Sequence, residues 1–170
     1  PTSWGGPATG TEAKCIGNWP LTMTVEGSRF AMNFAVEGQV FVDWGDGTYE
    51  TYDDGLFIAE HNYSSSGTYN VRLAARPTAY YGDEYPTLQI TTPAALVGIQ
   101  GSLGEVFPTL ADGSNPVFLE TFAGTINLTT VPETLFSGIT GTARPYMFNG
   151  TFMDSGLTEI PTYLFAGITT

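Results

Sequence analysis

The feature that most constrains the fold of this chain is a short segment, Val42-Asp43-Trp44-Gly45-Asp46-Gly47-Thr48. Apolar and polar side chains alternate before and after it, as they do in strands that bury one face. The Asp-Gly pair supplies the positive φ that a tight two-residue hairpin turn requires, and Asp46 can accept hydrogen bonds from the amides of that turn. The segment therefore predicts a buried strand, ending at Trp44, that runs into a hairpin.

The same alternation recurs along the first half of the chain, with turn residues between the runs. The apolar positions are Leu21, Met23 and Val25, then Phe30, Met32, Phe34 and Val36, then Val40 and Val42, and later Tyr69, Val71, Leu73, Ala75, Leu88 and Ile90. About six or seven short strands separated by turns are typical of a β-sandwich.

Two further segments, His61-Asn62-Tyr63 and Gly67-Thr68-Tyr69-Asn70-Val71, follow the turn. Together with Trp-Gly-Asp-Gly they resemble the PKD (polycystic-kidney-disease) domain, an immunoglobulin-like β-sandwich of surface and secreted proteins. The resemblance covers roughly positions 18 to 92 and implies a fold rather than an activity, with the histidine pinning the hairpin. The residues of this structural motif are Trp44, Gly45, Asp46, Gly47, His61, Tyr63, Gly67 and Tyr69.

A longer period replaces the alternation after Thr92-Pro93. Residues 128–140 are matched by residues 157–169, which lie 29 positions later, and Phe122-Ala-Gly124-Thr is matched by Phe148-Asn-Gly150-Thr. Repeats of about 20 to 30 residues indicate a solenoid, whose stacked units bury their apolar faces together. We therefore expect Phe122 and Phe148 at equivalent inner positions, with Gly124 and Gly150 at matching turns.

The repeats resemble the BspA-like leucine-rich repeats of bacterial and protist surface proteins, which read Leu-Thr-x-Ile-Pro-x-x-Leu-Phe-x-Gly. Residues 157–167 nearly reproduce that pattern, and the resemblance covers roughly 95 to 170. Since a solenoid needs a polar cap on its last apolar edge, we expect the repeats to continue beyond Thr170 in the natural protein. The side chains expected to point inward are Leu128, Val131, Leu135 and Phe136, and then Leu157, Ile160, Leu164 and Phe165.

Three parts are therefore predicted for a mainly β chain. Residues 1–17 would be a linker or flexible arm, because they contain Gly, Pro and Thr and little apolar material. Residues 18–92 would form an immunoglobulin-like, PKD-type β-sandwich, and residues 93–170 a short, truncated leucine-rich-repeat solenoid. Pro93 sets the boundary, since proline cannot donate to a strand ladder.

The charge balance restricts the partners of the chain. Asp and Glu number 17 against 5 Lys and Arg, which gives a net charge of -12. Such a surface repels phosphate backbones and anionic lipid head groups, so we expect no nucleic-acid partner. No apolar run approaches about 18 residues, so we expect no membrane insertion.

Catalytic and metal sites receive little support from the sequence. His61 is the only histidine and belongs to the hairpin motif, and Cys15 is the only cysteine, so we expect no enzymatic activity. No cofactor is expected, with calcium as the alternative, because carboxylates crowd around the turn in a spacing that fits no EF-hand loop. These carboxylates are Asp43, Asp46, Glu50, Asp53, Asp54 and Glu60.

An aromatic and acidic segment lies between two predicted strands and is the candidate contact site for a ligand or partner. Its residues are Tyr80, Tyr81, Asp83, Glu84 and Tyr85. Aromatic rings beside carboxylates on a loop can stack on and hydrogen-bond a sugar or a protein. The other interpretation is a loop that folds back over the sandwich or over its junction with the repeats.

These observations predict a non-enzymatic module of an extracellular or cell-surface protein, used for adhesion or for recognition of a protein or glycan. A virion surface is the alternative location. Two other functions stay open: a structural subunit of a filament or phage tail appendage, built from copies of itself, and an accessory module of a secreted hydrolase.

Overall fold

The computed structural model describes residues 11–170, and the prediction of a mainly β chain is confirmed. Strands β1 (Leu21–Asp43), β2 (Tyr49–Tyr80), β3 (Leu88–Ile90) and β4 (Leu96–Gly101) form one antiparallel sheet, and β5 (Gly141–Thr142) and β6 (Ile168–Thr169) form a short parallel pair. The helical segments are 3₁₀-helices at Thr11–Cys15 and Pro93–Ala95 and helix α1 at Leu103–Val106. Within residues 11–170, no helix combines the length and apolar character needed to cross a membrane.

Strand β1 has neighbours on both sides over much of its length. The residues of β1 with two partners include Met23, between Val71 and Ile99, Met32, between Ala59 and Ile90, and Val40, between Tyr52 and Ala75. A strand in this position satisfies its backbone on both edges and buries most of its side chains, which explains the nearly continuous burial between Phe30 and Val36.

The register between β1 and β2 shifts at two glycines. Before Gly27 the strand pairs with residues 67–73 of β2, and after it with residues 55–62. At Gly38, which has a φ of 100°, the register of this pairing shifts, and residues 39–43 lie between residues 49–53 and residues 72–76 of β2. A Cβ on Gly38 would lie 2.2 Å from the carbonyl oxygen of Arg76, so only glycine fits there. The breaks expected between short strands therefore occur as bulges within one long strand.

The N-terminal segment is not a free arm over the residues that the structure describes. Residues 11–15 form a 3₁₀-helix, and Ala13 is fully buried against Phe41 and Ala74 on the sheet. A small apolar side chain can bury itself in this way without the alternation that marks a strand. The prediction for residues 1–10 lies outside the described residues.

The sheet also extends past the boundary predicted at Pro93. After the 3₁₀-helix at Pro93–Ala95 the chain returns as β4, which pairs with β1 from Leu21↔Gly101 to Val25↔Leu96. Proline does end β3, but it does not prevent the next residues from joining the sheet beside a different segment of β1. Residues 96–101 thus belong to the sheet, and the stacked part of the chain begins after them.

After residue 101 the chain crosses the molecule repeatedly, and we call each crossing a pass. Adjacent passes run parallel and are hydrogen-bonded to each other, as residues 118–124 are to residues 147–153. Four amide-to-carbonyl bonds share one offset of 29 residues: Phe118 N to Met147 O at 2.7 Å, Glu120 N to Asn149 O at 2.9 Å, and Phe122 N to Thr151 O and Gly124 N to Met153 O, each at 2.8 Å. Before them, Thr87 N donates to Val117 O and Ile90 N to Thr121 O, so the first pass adjoins β3. The period seen in the sequence therefore corresponds to direct contact between passes.

The register of these passes differs from the predicted one. The ring of Phe122 stacks on Phe152, with centroids 5.6 Å apart, and Phe118 packs on Phe148 at 5.9 Å. Positive φ values recur in the same register, at Glu120 and Gly150 and at Gly124 and Asp154. The predicted equivalence of Phe122 with Phe148 and of Gly124 with Gly150 is therefore wrong. Each pass contains two similar turns that begin with Phe, at Phe118 and Phe122 in one pass and at Phe148 and Phe152 in the next. The sequence match paired the second turn of the first pass with the first turn of the second pass.

Burial of the repeated apolar side chains differs between the two copies. Leu128, Val131, Leu135 and Phe136 are all buried, as predicted. In the second copy Leu164 is buried and Leu157 is half-buried, whereas Ile160 is 52% exposed, so the inward prediction is wrong for Ile160. The ring of Phe165 points inward and stacks on Phe136, with centroids 5.5 Å apart, but stays 38% exposed. The first copy is covered by the pass that follows it, and no later pass covers residues 157–168 in the described chain.

The sheet and the stacked passes share one hydrophobic core. Residues from Leu21 to Leu164 belong to a single cluster of buried side chains, and the ring of Phe34 in β1 lies 6.1 Å from the ring of Phe107. The two parts of the chain therefore contribute to the same apolar interior.

We expect the Phe122→Ala variant to lose about 3 to 5 kcal/mol of unfolding free energy, because the ring is fully buried and its removal leaves a cavity. The matched control is Phe165→Ala, whose ring is 38% exposed and should cost clearly less. Urea denaturation of both variants measures the difference. Equal losses would contradict the difference in burial between the two rings.

Candidate functional site

The turn after β1 is longer than the predicted two-residue hairpin. The connection covers residues 44–48, and Trp44 N donates to Thr48 O at 3.0 Å. Gly45 and Gly47 both have positive φ, so two glycines share the reversal. The Asp46 carboxylate accepts a hydrogen bond from Thr48 N at 3.0 Å, as the sequence predicts.

His61 ties this turn to β2. Its Nε2 atom lies 2.8 Å from Asp46 Oδ2, and its ring stacks on Trp44 with centroids 5.1 Å apart. Partial burial alone would raise the pKa of Asp46, but the hydrogen bonds from His61 and Thr48 together outweigh it and lower the pKa. The contacts of His61 are thus those of a residue that fastens a turn.

Two tyrosines of the motif complete this cluster. Tyr63 donates its hydroxyl to the carbonyl oxygen of Trp44 at 2.9 Å, and its ring stacks on Tyr69 with centroids 3.7 Å apart. The Trp44 indole is fully buried, and its Nε1 atom donates to Glu50 at 3.0 Å. The motif therefore forms one connected group of rings around the Trp44 indole, whose N–H group is hydrogen-bonded.

The carboxylates considered for calcium do not converge. Each has its own protein partner: Asp43 with Arg72, Asp46 with His61, Glu50 with Trp44, Asp53 with Gln39, Asp54 with the amide of Gly38, and Glu60 with Arg29. In the part of the chain that the structure describes, no three His, Cys, Asp or Glu side chains are grouped so that they could hold a metal ion. These contacts hold the sheet and its turns together.

The aromatic segment divides into residues that anchor it and residues that are exposed. Tyr80, the last residue of β2, donates its hydroxyl to Pro108 O at 2.6 Å, and burial raises its pKa. Tyr81 donates to Glu37 of β1 at 2.7 Å. Tyr80 therefore packs at the junction with the later passes, as the second interpretation of this segment expects.

An ion pair fixes the other side of the loop. Arg144 donates to Asp83 Oδ1 through Nε at 2.7 Å, and to the carbonyl oxygen of Asn115 at 2.9 Å. Within the loop, Tyr85 N donates to Gly82 O at 3.0 Å and closes a turn. The loop is thus held by side chains from β1 and from the stacked passes.

An open groove lies at the exposed surface of this loop. It has a volume of about 360 Å³ and is lined by Gly82, Asp83, Glu84, Tyr85 and Tyr146. Tyr85 is 46% and Tyr146 is 59% exposed, so both offer ring surface to a ligand. The volume lies near the lower limit for small-molecule pockets, which suits a single side chain or sugar unit. We refer to it below as the tyrosine groove.

Tyr146 was not found by sequence reasoning. It lies far from the loop in the chain. The only signal for it in the sequence is Arg144, two positions earlier, which is one of five cations in an acidic chain. Its φ of 57° is unusual for a bulky side chain, and such conformations cost free energy. The equivalent position one pass earlier is Pro116 or Val117, and neither has a positive φ, so this conformation is not a shared feature of the passes.

Two other cavities lack the same combination. One, of about 310 Å³, lies between residues 16–20 and the sheet, and another, of about 220 Å³, lies between residues 133–140 and 163–167. The first is lined by no exposed aromatic ring, and the second has a single exposed ring, Tyr163, whereas the tyrosine groove has two. The tyrosine groove is therefore the candidate site.

Comparison with known proteins gives no identification: no family model matches the chain, and no curated protein or solved structure is significantly similar to it. The likeness to PKD domains and to BspA-like repeats therefore stays a resemblance of sequence motifs.

We expect Trp44→Ala to lower the free energy of unfolding by about 3 to 5 kcal/mol, because the indole is fully buried and fills the centre of the motif. Trp19→Ala is the matched control, since that ring is only half-buried. Thermal and urea unfolding of both variants provide the comparison. An unchanged melting temperature for Trp44→Ala would show that the motif does not stabilise the sheet.

Proposed function

We propose that this chain is a non-enzymatic recognition module of an extracellular or cell-surface protein, and that it binds a protein or glycan partner at the tyrosine groove. The observation that carries the proposal is the pair of exposed rings, Tyr85 and Tyr146, that line the groove. The loop beneath them is fixed by the contacts of Tyr81 and Asp83, so little ordering is needed on binding.

The proposed architecture is a PKD-type β-sandwich extended by a short leucine-rich-repeat solenoid. The cluster around Trp44 and His61 supports the first part, because it joins the three motif segments that resemble PKD domains. The parallel bonds between passes support the second part. Both resemblances are to surface proteins, which supports the proposed location.

The proposal predicts that ring removal at the groove abolishes most of the binding. Arrays of glycans and of extracellular protein domains are probed with the wild type and with a Tyr85→Ala/Tyr146→Ala double variant. Each truncation of a central aromatic contact costs roughly 1 to 2 kcal/mol, so the double variant should bind its partner at least about tenfold more weakly.

The control for this experiment is Tyr163→Ala, which removes an even more exposed ring outside the groove and should leave binding unchanged. Unfolding curves establish that all variants are folded. Partner binding that survives in the double variant, or that is lost in Tyr163→Ala, would refute the groove as the recognition site.

A structural role in an assembly is the second candidate. Ile160, Tyr163 and Phe165 leave large apolar surfaces exposed on residues 157–168, with Tyr163 at 68%. Such a patch can stack against another copy of the chain. Sedimentation velocity over a range of concentrations tests this role: association that Tyr163→Ala weakens would favour it, and a monomer at all concentrations would refute it.

A further inference from the structure

The tyrosine groove has a negative charge that the fold does not neutralise. Asp83 is paired with Arg144, whereas no hydrogen bond or ion pair engages the side chain of Glu84 among the described residues. Glu84 is exposed and lines the groove beside Tyr85 and Tyr146. The groove thus combines two aromatic faces with a carboxylate that is available to a ligand.

The surroundings of the loop add to this negative field. Tyr81, whose ring lies 6.0 Å from that of Tyr85, donates its hydroxyl to Glu37. Burial, then the hydrogen bond and charge of Glu37, and then the charge of Asp54 raise the pKa of Tyr81 to about 12. The carboxylates of Glu37 and Asp54 therefore act on the support of the loop, in addition to Glu84, which lies on the loop itself and is unpaired among the described residues.

Charge complementarity selects among the ligands that could stack on tyrosine. An anionic sugar or phosphate would be repelled by Glu84 and by the net charge of -12. A neutral sugar could stack on the rings but would have no net charge for the Glu84 carboxylate to attract. A cation is attracted by the face of each ring and by the carboxylate, and these two attractions add.

We propose that the tyrosine groove binds a Lys or Arg side chain from a basic segment of a partner protein. The cationic group would lie against the faces of Tyr85 and Tyr146 and pair with the Glu84 carboxylate. This inference rests on the proposed function and narrows its partner class from protein or glycan to a basic protein segment. The acidic surface would also accelerate the encounter, so association should slow as salt increases.

Fluorescence anisotropy with a labelled basic peptide, containing both Lys and Arg, tests the inference. Its comparison probe is a peptide of the same length in which the lysines are acetylated and the arginines are replaced by glutamine. A labelled neutral oligosaccharide is the third probe. We expect measurable binding only of the basic peptide, weakened severalfold between about 50 and about 500 mM salt, because screening shortens the range of exposed charges.

The variants separate the groove from the overall charge of the chain. Glu84→Gln and Tyr146→Ala should each weaken binding of the basic peptide about three- to tenfold, since each removes one of the two attractions. Glu159→Gln changes the net charge by the same amount at an exposed position outside the groove, and should change binding less than about twofold. Thermal unfolding confirms that each variant is folded.

Three results would overturn the inference. Equal weakening by Glu84→Gln and Glu159→Gln would show that the whole acidic surface, and not the groove, attracts the peptide. Binding of the neutral oligosaccharide that Tyr146→Ala removes and Glu84→Gln leaves intact would refute the cationic partner but uphold recognition at the groove. The absence of binding by the basic peptide would also refute it, while the array experiment with the double tyrosine variant tests recognition independently.

Discussion

The double-sided pairing of β1 is the constraint on which the rest of the structure depends. A backbone with neighbours on both edges must have its polar groups matched along each of them. Strand β1 meets this demand by shifting its register at Gly27 and Gly38 instead of ending. Because β2, β3 and β4 all pair with this strand, their places in the sheet follow from their pairing with it.

Most of the strands could be predicted from the sequence, but their neighbours could not. Alternation at Met23 or Met32 reports which face of a strand is buried, and it contains no information on which segment lies alongside. The segment 96–101 was missed as part of the sheet because its two glycines and short length weaken the alternation. The packing of Ala13 was missed for a related reason, since one small buried side chain produces no periodic pattern.

The stacked passes show how a correct period can give an incorrect register. Phe118 and Phe122 each begin a similar turn, so two alignments with the next pass are nearly equal in sequence. Hydrogen bonding at a constant offset, together with ring stacking of Phe122 on Phe152, decides between them in space. Tyr146 could not be predicted as a site residue for a similar reason. It lines the groove with Glu84 near the ion pair of Arg144 with Asp83, and a contact between residues so far apart in the chain leaves no local sequence pattern.

The tyrosine groove lies where the sheet and the stacked passes meet, and this position explains its exposed rings. Tyr81 fastens the loop to Glu37 in β1, and Arg144 fastens it to the stacked passes through Asp83. Since these two side chains supply the contacts that hold the loop, Tyr85 and Tyr146 need not pack inward to stabilise it. The junction therefore leaves ring surface and the Glu84 carboxylate exposed at a fixed place, a combination that neither the sheet nor the passes could produce alone.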